Sequence, residues 1–184
     1  MIVGVGGQGT LLASRILGTV LINGGYDVKV SEVHGMSQRG GSVVTYVKYG
    51  DKVYSPVIEK GEADLILSFE ELEGARWLTY LKKGGKLITN TQQINPMPVI
   101  TGAASYPDNI IEKLKASGAN ATAKDALSAA EEAGSSKAVN VVLMGLLSKS
   151  MEFEEEVWEK AIEECVPPKA LEINKKAFAI GRSL

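Results

Sequence analysis

Met1-Ile2-Val3 leads into Gly4-Val5-Gly6-Gly7-Gln8-Gly9, and behind these residues Leu12, Ile16 and Val20 recur on one face of a helical repeat. An apolar strand, a glycine turn and an amphipathic helix in direct succession commit the chain to an α/β fold that opens on a strand–turn–helix unit. Gly4, Gly6 and Gly9 have the spacing of the dinucleotide fingerprint. In that motif the missing side chains let a phosphate approach the first amides of the helix and its positive dipole end. The turn supports two readings: a phosphate cradle, or a tight connection that lets strand and helix pack closely.

A dinucleotide fold places an acidic residue at the end of its second strand to hold a ribose hydroxyl. Glu32, closing the run Asp27-Val28-Lys29-Val30-Ser31, meets that expectation. The next element does not, because Val33-His34-Gly35-Met36-Ser37-Gln38-Arg39-Gly40-Gly41-Ser42 is too rich in glycine and too poor in apolar period for a crossover helix. It reads as a loop. Val43–Tyr49 and Lys52-Val53-Tyr54 then flank Gly50-Asp51, a two-residue turn that predicts an antiparallel hairpin in place of the helix.

The segments Gly4-Val5-Gly6-Gly7-Gln8-Gly9-Thr10 and Glu32-Val33-His34-Gly35-Met36-Ser37-Gln38-Arg39-Gly40-Gly41-Ser42-Val43-Val44-Thr45 resemble the gamma-type subunit or domain of 2-oxoacid:ferredoxin oxidoreductases. The form of the second motif is more similar to the small (beta) subunit of indolepyruvate ferredoxin oxidoreductase than to the pyruvate or 2-oxoglutarate branches, and the likeness extends over nearly the whole chain. The resemblance implies an accessory subunit, inactive alone, in a complex that converts an aryl 2-oxoacid, coenzyme A and oxidised ferredoxin into an aryl acyl-CoA, carbon dioxide and reduced ferredoxin. It implies thiamine diphosphate and iron–sulfur clusters in a large partner subunit, none bound by this chain alone, with coenzyme A as co-substrate of the complex. The same role on another 2-oxoacid (pyruvate, 2-oxoglutarate or a branched-chain acid) is an alternative, and a homodimer is left open for the isolated chain.

Farther along, Ala63–Leu67 reads as a buried strand, and Ser68-Phe69-Glu70-Glu71 as a capping box opening a helix to about Leu81, stopped by Lys83-Gly84-Gly85. Lys86-Leu87-Ile88-Thr89 is a strand ending at Asn90. This second βαβ unit brings its strand ends to the side of the glycine turn, so Ser68, Glu70 and Asn90 are expected to border one crevice with it, the principal pocket. A helix over Pro107–Ser117 and a short strand at Asn120–Ala123 follow. Helices over Ser136–Ser148, Glu154–Cys165 and Pro168–Ile180, the last closed by Gly181, make a helical final third. The expected fold is α/β, a Rossmann-like, mostly parallel sheet with an inserted β-hairpin and a helical C-terminal third, in one domain over residues 1–184.

The candidate ligand or interface residues are Gly4, Gly6, Gly7, Gln8, Gly9, Glu32, His34, Gln38, Arg39, Gly40, Gly41, Ser68, Glu70 and Asn90. Arg39 carries a planar fork suited to a carboxylate or phosphate, and Gln38 can both donate and accept. No catalytic residue is assigned. Cys165 is the only cysteine and His34 the only histidine, which leaves no cluster ligand set and no multi-histidine metal site. A net charge of -2 gives no polyanion-binding surface, so nucleic acid is not expected as a partner. The longest apolar run, Val139 to Leu147, is far below a membrane span, and a cytoplasmic protein is expected. Two readings of other classes compete: a nicotinamide-dependent oxidoreductase, carried by the fingerprint and Glu32, and a scaffold that binds no small molecule.

Overall fold

A computed structural model describes residues 1–34 and 40–184, with His34 described by its backbone alone. The chain runs β1 (Ile2–Val5), α1 (Thr10–Asn23), β2 (Asp27–His34), β3 (Ser42–Gly50), β4 (Ala63–Ser68), α2 (Glu71–Arg76), β5 (Leu81–Asn90), α3 (Met97–Ile100), α4 (Ile110–Ala116), β6 (Asn120–Lys124), α5 (Ala126–Ala133), α6 (Val139–Ser148), α7 (Glu155–Cys165) and α8 (Leu171–Ser183). One six-stranded sheet has the order β2-β3-β1-β4-β5-β6. The strands β1, β4, β5 and β6 are mutually parallel, while β3 runs antiparallel to β1 and β2 antiparallel to β3. This is the expected mostly parallel sheet with an inserted hairpin.

The hairpin is built differently from the local reading. β3 pairs along its length with β2, from Asp27 opposite Gly50 to His34 opposite Val43, and residues 52–54 form no strand. Gly50-Asp51 therefore ends a hairpin rather than turning it, and Glu32 lies inside β2, two residues before its end. Long-range pairing with an eight-residue partner outweighs the short run after the turn signal.

Both faces of the parallel strands are covered, so their residues alternate between two cores. Ile2, Leu67 and Ile88 point into the larger core with α1, α5, α6, α7 and α8, while Val3, Ile66 and Leu87 point into the smaller one with Ile110 and Leu114 of α4. Every residue of α6 is buried. It can lie there because two glycines let α8 approach: a Cβ on Gly145 would fall 2.2 Å from the Phe178 carbonyl oxygen, and one on Gly181 would fall 2.0 Å from that of Val142. Gly181 thus sits inside α8 as a contact point, not after it as a stop. Likewise Gly84 and Gly85 lie within β5, and α2 ends at Arg76. The short helices α3 and α5 were not expected, although Asp125 at the start of α5 and Gly134 at its end are cap signals present in the sequence.

Candidate functional site

At the carboxyl ends of the parallel strands the glycine turn does three separate jobs. Gly4 is a packing residue, since a Cβ there would fall 2.9 Å from both Gln8 Oε1 and Phe69 Cβ. Gly7 and Gly9 adopt left-handed φ values of 100° and 84°, which strain any residue with a Cβ. Gly9 is also crowded by Asn140 of α6, whose Nδ2 donates to the Gly9 carbonyl at 3.4 Å. Around Gly7 there is open space.

Gln8 closes one side of the turn. Its Oε1 accepts from the Val5 N–H at 2.8 Å, and its Nε2 donates to the Phe69 carbonyl at 2.9 Å and to Gln92 Oε1 at 3.3 Å. Asn90 Nδ2 reaches the same Phe69 carbonyl at 3.2 Å, while its Oδ1 accepts from the Ala126 N–H. The strand ends gather Gln8, Ser68, Glu70 and Asn90 as the spacing predicts, but their polar atoms hold one another. Ser68 Oγ donates to the Glu70 carbonyl at 2.6 Å. Glu70, 1 % exposed, accepts from the N–H groups of Glu73 and Ile94 and from the Tyr106 hydroxyl at 2.5 Å. Burial and that carboxylate push the Tyr106 hydroxyl well above the ordinary tyrosine value. Ser68, Glu70 and Asn90 therefore do not line an open crevice with the turn.

The open space lies on the other side, toward the hairpin. A cleft of about 430 Å³ is lined by Gly6, Gly7, Gly9, Thr10 and Glu32, with Leu11 and Val43 as apolar walls. Gly6 donates to the Gly41 carbonyl at 2.8 Å and accepts from the Gly40 N–H at 3.4 Å, so the end of the loop is seated on the turn. Glu73 holds the residue after it, accepting from Ser42 Oγ at 2.5 Å and from Arg76 Nε at 3.0 Å. Gln38, Arg39 and the His34 side chain lie outside the described residues. Among the described residues, the N–H groups of Gly7, Gly9, Thr10 and Leu11 meet no acceptor, and all four residues line the cleft. The arrangement can receive an anion at the turn and a hydrogen-bond donor at Glu32.

A larger cavity, about 640 Å³, opens at the opposite end of the sheet beside Ile2, Val47, Leu65 and Lys86. The glycine cleft is thus not the principal pocket by volume. Among the described residues no cluster of histidine, cysteine and carboxylate side chains can hold a metal ion. Cys165 packs partly buried with its sulfur 3.5 Å from Thr19 Oγ1, and the residues present do not fit an iron–sulfur cluster. No described helix is long and apolar enough to cross a membrane.

Residues 1–184 match the pyruvate ferredoxin/flavodoxin oxidoreductase family. The chain belongs to that family. It is 45 % identical over 188 residues to the indolepyruvate oxidoreductase subunit IorB of Thermococcus kodakarensis, covering 98 % of this chain and 92 % of that relative. The gamma subunit of a keto/oxoacid ferredoxin oxidoreductase from Geobacter sulfurreducens has a similar structure, with a TM-score of 0.71 at 25 % identity over 99 % of this chain and 94 % of that one. The fold recurs in the 2-oxoglutarate:ferredoxin oxidoreductase of Magnetococcus marinus, solved with 2-oxoglutarate, coenzyme A and succinyl-CoA bound. The TM-score there is 0.72 at 18 % identity, over 99 % of this chain and 30 % of that one.

Membership of the family agrees with the resemblance read from the glycine turn and the loop, and favours neither the nicotinamide enzyme nor the scaffold. Sequence reasoning missed Thr10, Asn140, Glu73 and Tyr106. Thr10 is adjacent to the motif and could have been found there; the others reach the site only through tertiary contacts.

Proposed function

We propose that this chain is the accessory subunit of an oxidoreductase complex that oxidatively decarboxylates aryl 2-oxoacids, indolepyruvate foremost, to the aryl acyl-CoA with reduction of ferredoxin. The observation that carries the reading is the 45 % identity to an indolepyruvate oxidoreductase subunit across 98 % of the chain. Thiamine diphosphate and iron–sulfur clusters reside in a large partner subunit, which performs the carbon chemistry. This chain contributes the strand-end surface on which the turn, Glu32 and Gly40-Gly41 converge. Coenzyme A places a phosphate at the unpaired amides of the turn, and Gln38, Arg39 and His34 position that ligand or the partner. The complex works in the cytoplasm.

Co-expression with a large thiamine diphosphate subunit tests this directly. The purified pair is expected to reduce a viologen with indolepyruvate and coenzyme A, faster than with pyruvate or 2-oxoglutarate, while either chain alone gives background. Preference for a different 2-oxoacid would replace the substrate, and turnover by this chain alone would overturn the accessory role. Arg39→Ala is expected to slow the assembled complex with no change in the thermal midpoint of this chain, as loop residues contribute little to folding.

A further inference from the structure

Glu73 is buried in α2 at 4 % exposure, and three donors converge on its carboxylate: Ser42 Oγ at 2.5 Å, Arg76 Nε at 3.0 Å and Trp77 Nε1 at 3.3 Å. A carboxylate accepts at every lone pair and donates at none, so it receives all three at once, whereas an amide in its place would turn an N–H against one of them. Burying a charge is costly, and two of the donors belong to the end of its own helix. Ser42 is the remote one, 31 residues away in the chain. It opens β3 with its side chain turned to α2, so by the alternation of a strand the Val43 side chain turns to the opposite face, where it walls the glycine cleft. On the other side of Ser42, Gly40 and Gly41 bond to Gly6, whose N–H donates to the Gly41 carbonyl at 2.8 Å. Ser42 thus ties this wall to α2.

We infer that Glu73 is a positioning residue: through Ser42 it keeps Gly40-Gly41 seated on Gly6 and Val43 in the wall, so the cleft holds its shape before a ligand arrives. Without that acceptor the exposed Ser42 hydroxyl would be shared with water, leaving the strand end free to lift from the turn. A hydroxyl bonded to a carboxylate is held about twice as strongly as one bonded to a neutral acceptor. The carboxylate is itself fixed, because Arg76 and Trp77 bond to it and the Glu73 N–H donates to Glu70 Oε2 at 2.8 Å. Glu73 acts through its neighbours, by lowering the cost of ordering the wall when a ligand binds. The inference deepens the proposed function and rests on it for the identity of the ligand, coenzyme A, not for the anchoring itself.

Amide exchange of the full chain, read by NMR, tests the anchoring. In Glu73→Gln and in Ser42→Ala the Gly6 N–H is expected to exchange about tenfold faster or more, the usual loss of a hydrogen bond to a charged group. The Phe69 N–H, bonded to the Val3 carbonyl on the other side of β1, is expected to keep its rate. Ser42→Thr retains the hydroxyl and is expected to exchange as the parent does. In the complex assembled with a large subunit, Glu73→Gln and Ser42→Ala are each expected to raise the KM for coenzyme A several-fold with kcat retained. The double variant is expected to go no further than either one, since the two side chains form one contact. A residue that only stabilised α2 would lower the thermal midpoint and leave that KM unchanged. Because Ser42 is exposed, Ser42→Ala reads the contact even where Glu73→Gln fails to fold. Unchanged Gly6 exchange in a folded Ser42→Ala chain, a rise at Gly6 and Phe69 alike, or an unchanged KM in the assembled complex would overturn the inference. A parent chain that never assembles with a large subunit refutes the proposed function alone, and the exchange rates then decide the anchoring by themselves.

Discussion

Gly181→Ala puts the packing of α6 against α8 to a quantitative test. The added methyl would sit 2.0 Å from the Val142 carbonyl oxygen and 2.9 Å from its carbonyl carbon. Both are backbone atoms of a wholly buried helix, so no side chain can swing aside. Restoring an ordinary contact of roughly 3.5 Å means parting the helices by more than 1 Å, and a gap of about that size forfeits a quarter to a half of each dispersion contact across it. The shared interface includes Phe178, whose ring stacks on Trp158 with centroids 5.9 Å apart. Overpacking in a rigid core typically costs about 1–3 kcal/mol and more where nothing yields, so about 3–5 kcal/mol is expected here. The better helix propensity of alanine returns about 1 kcal/mol, leaving a net loss of about 2–4 kcal/mol. For a chain of this size that lowers the thermal midpoint by roughly 5–15 °C. Circular dichroism melts would read it, with Gly18→Ala as control: Gly18 also lies within a helix, yet a Cβ there meets nothing within 4 Å. The control is expected to hold or raise the midpoint. A Gly181→Ala chain as stable as the parent would refute the close-approach argument.

Other substitutions probe the turn itself. Gln8→Ala strips the partner from the Val5 N–H and is expected to lose about 1–3 kcal/mol in urea denaturation, with Gln8→Glu no better because it cannot donate to the Phe69 carbonyl. Gly9→Ala combines a φ of 84° with a methyl 2.7 Å from Asn140 Nδ2; adding Asn140→Ala is expected to recover only part of the lost stability, since the backbone strain stays. Tyr106 is an acid whose folded value lies above its ordinary 10.0, so the stability it contributes is complete below pH 10 and declines as the unfolded chain ionises above it. Tyr106→Phe is therefore expected to flatten the fall in stability between about pH 10 and pH 12, read as the slope of the unfolding free energy against pH.

Elements with strong local periodicity were legible: β1, α1, β4, the end of β5, β6 and the three C-terminal helices all lie where the apolar repeat places them. So was the gathering of Gln8, Ser68, Glu70 and Asn90 at the strand ends, because parallel strands joined by right-handed crossovers bring their carboxyl ends to one side. Their use was not legible. Whether a glutamate at a strand end faces solvent or a ring of donors depends on Ile94 and Tyr106, more than 20 residues away in the chain. The open cleft moved to the hairpin side for the same reason, since Gln8 could be seen in the motif but not its bonds to Phe69 and Gln92.

By itself the sequence determined the strand–turn–helix opening, a strand over Val43–Tyr49 where a crossover helix would run, and the shortage of cysteines for an iron–sulfur cluster. Each of these follows from residue types and their spacing within one short segment, or from a count. Tertiary structure alone decided which strand β3 pairs with, which glycines are turns and which are contact points, and which polar groups remain free for a ligand. Gly9 and Gly181 look alike in a sequence, but one is held by its φ and the other by a carbonyl 2.0 Å from where a Cβ would stand. That difference exists only after another part of the chain has packed against them.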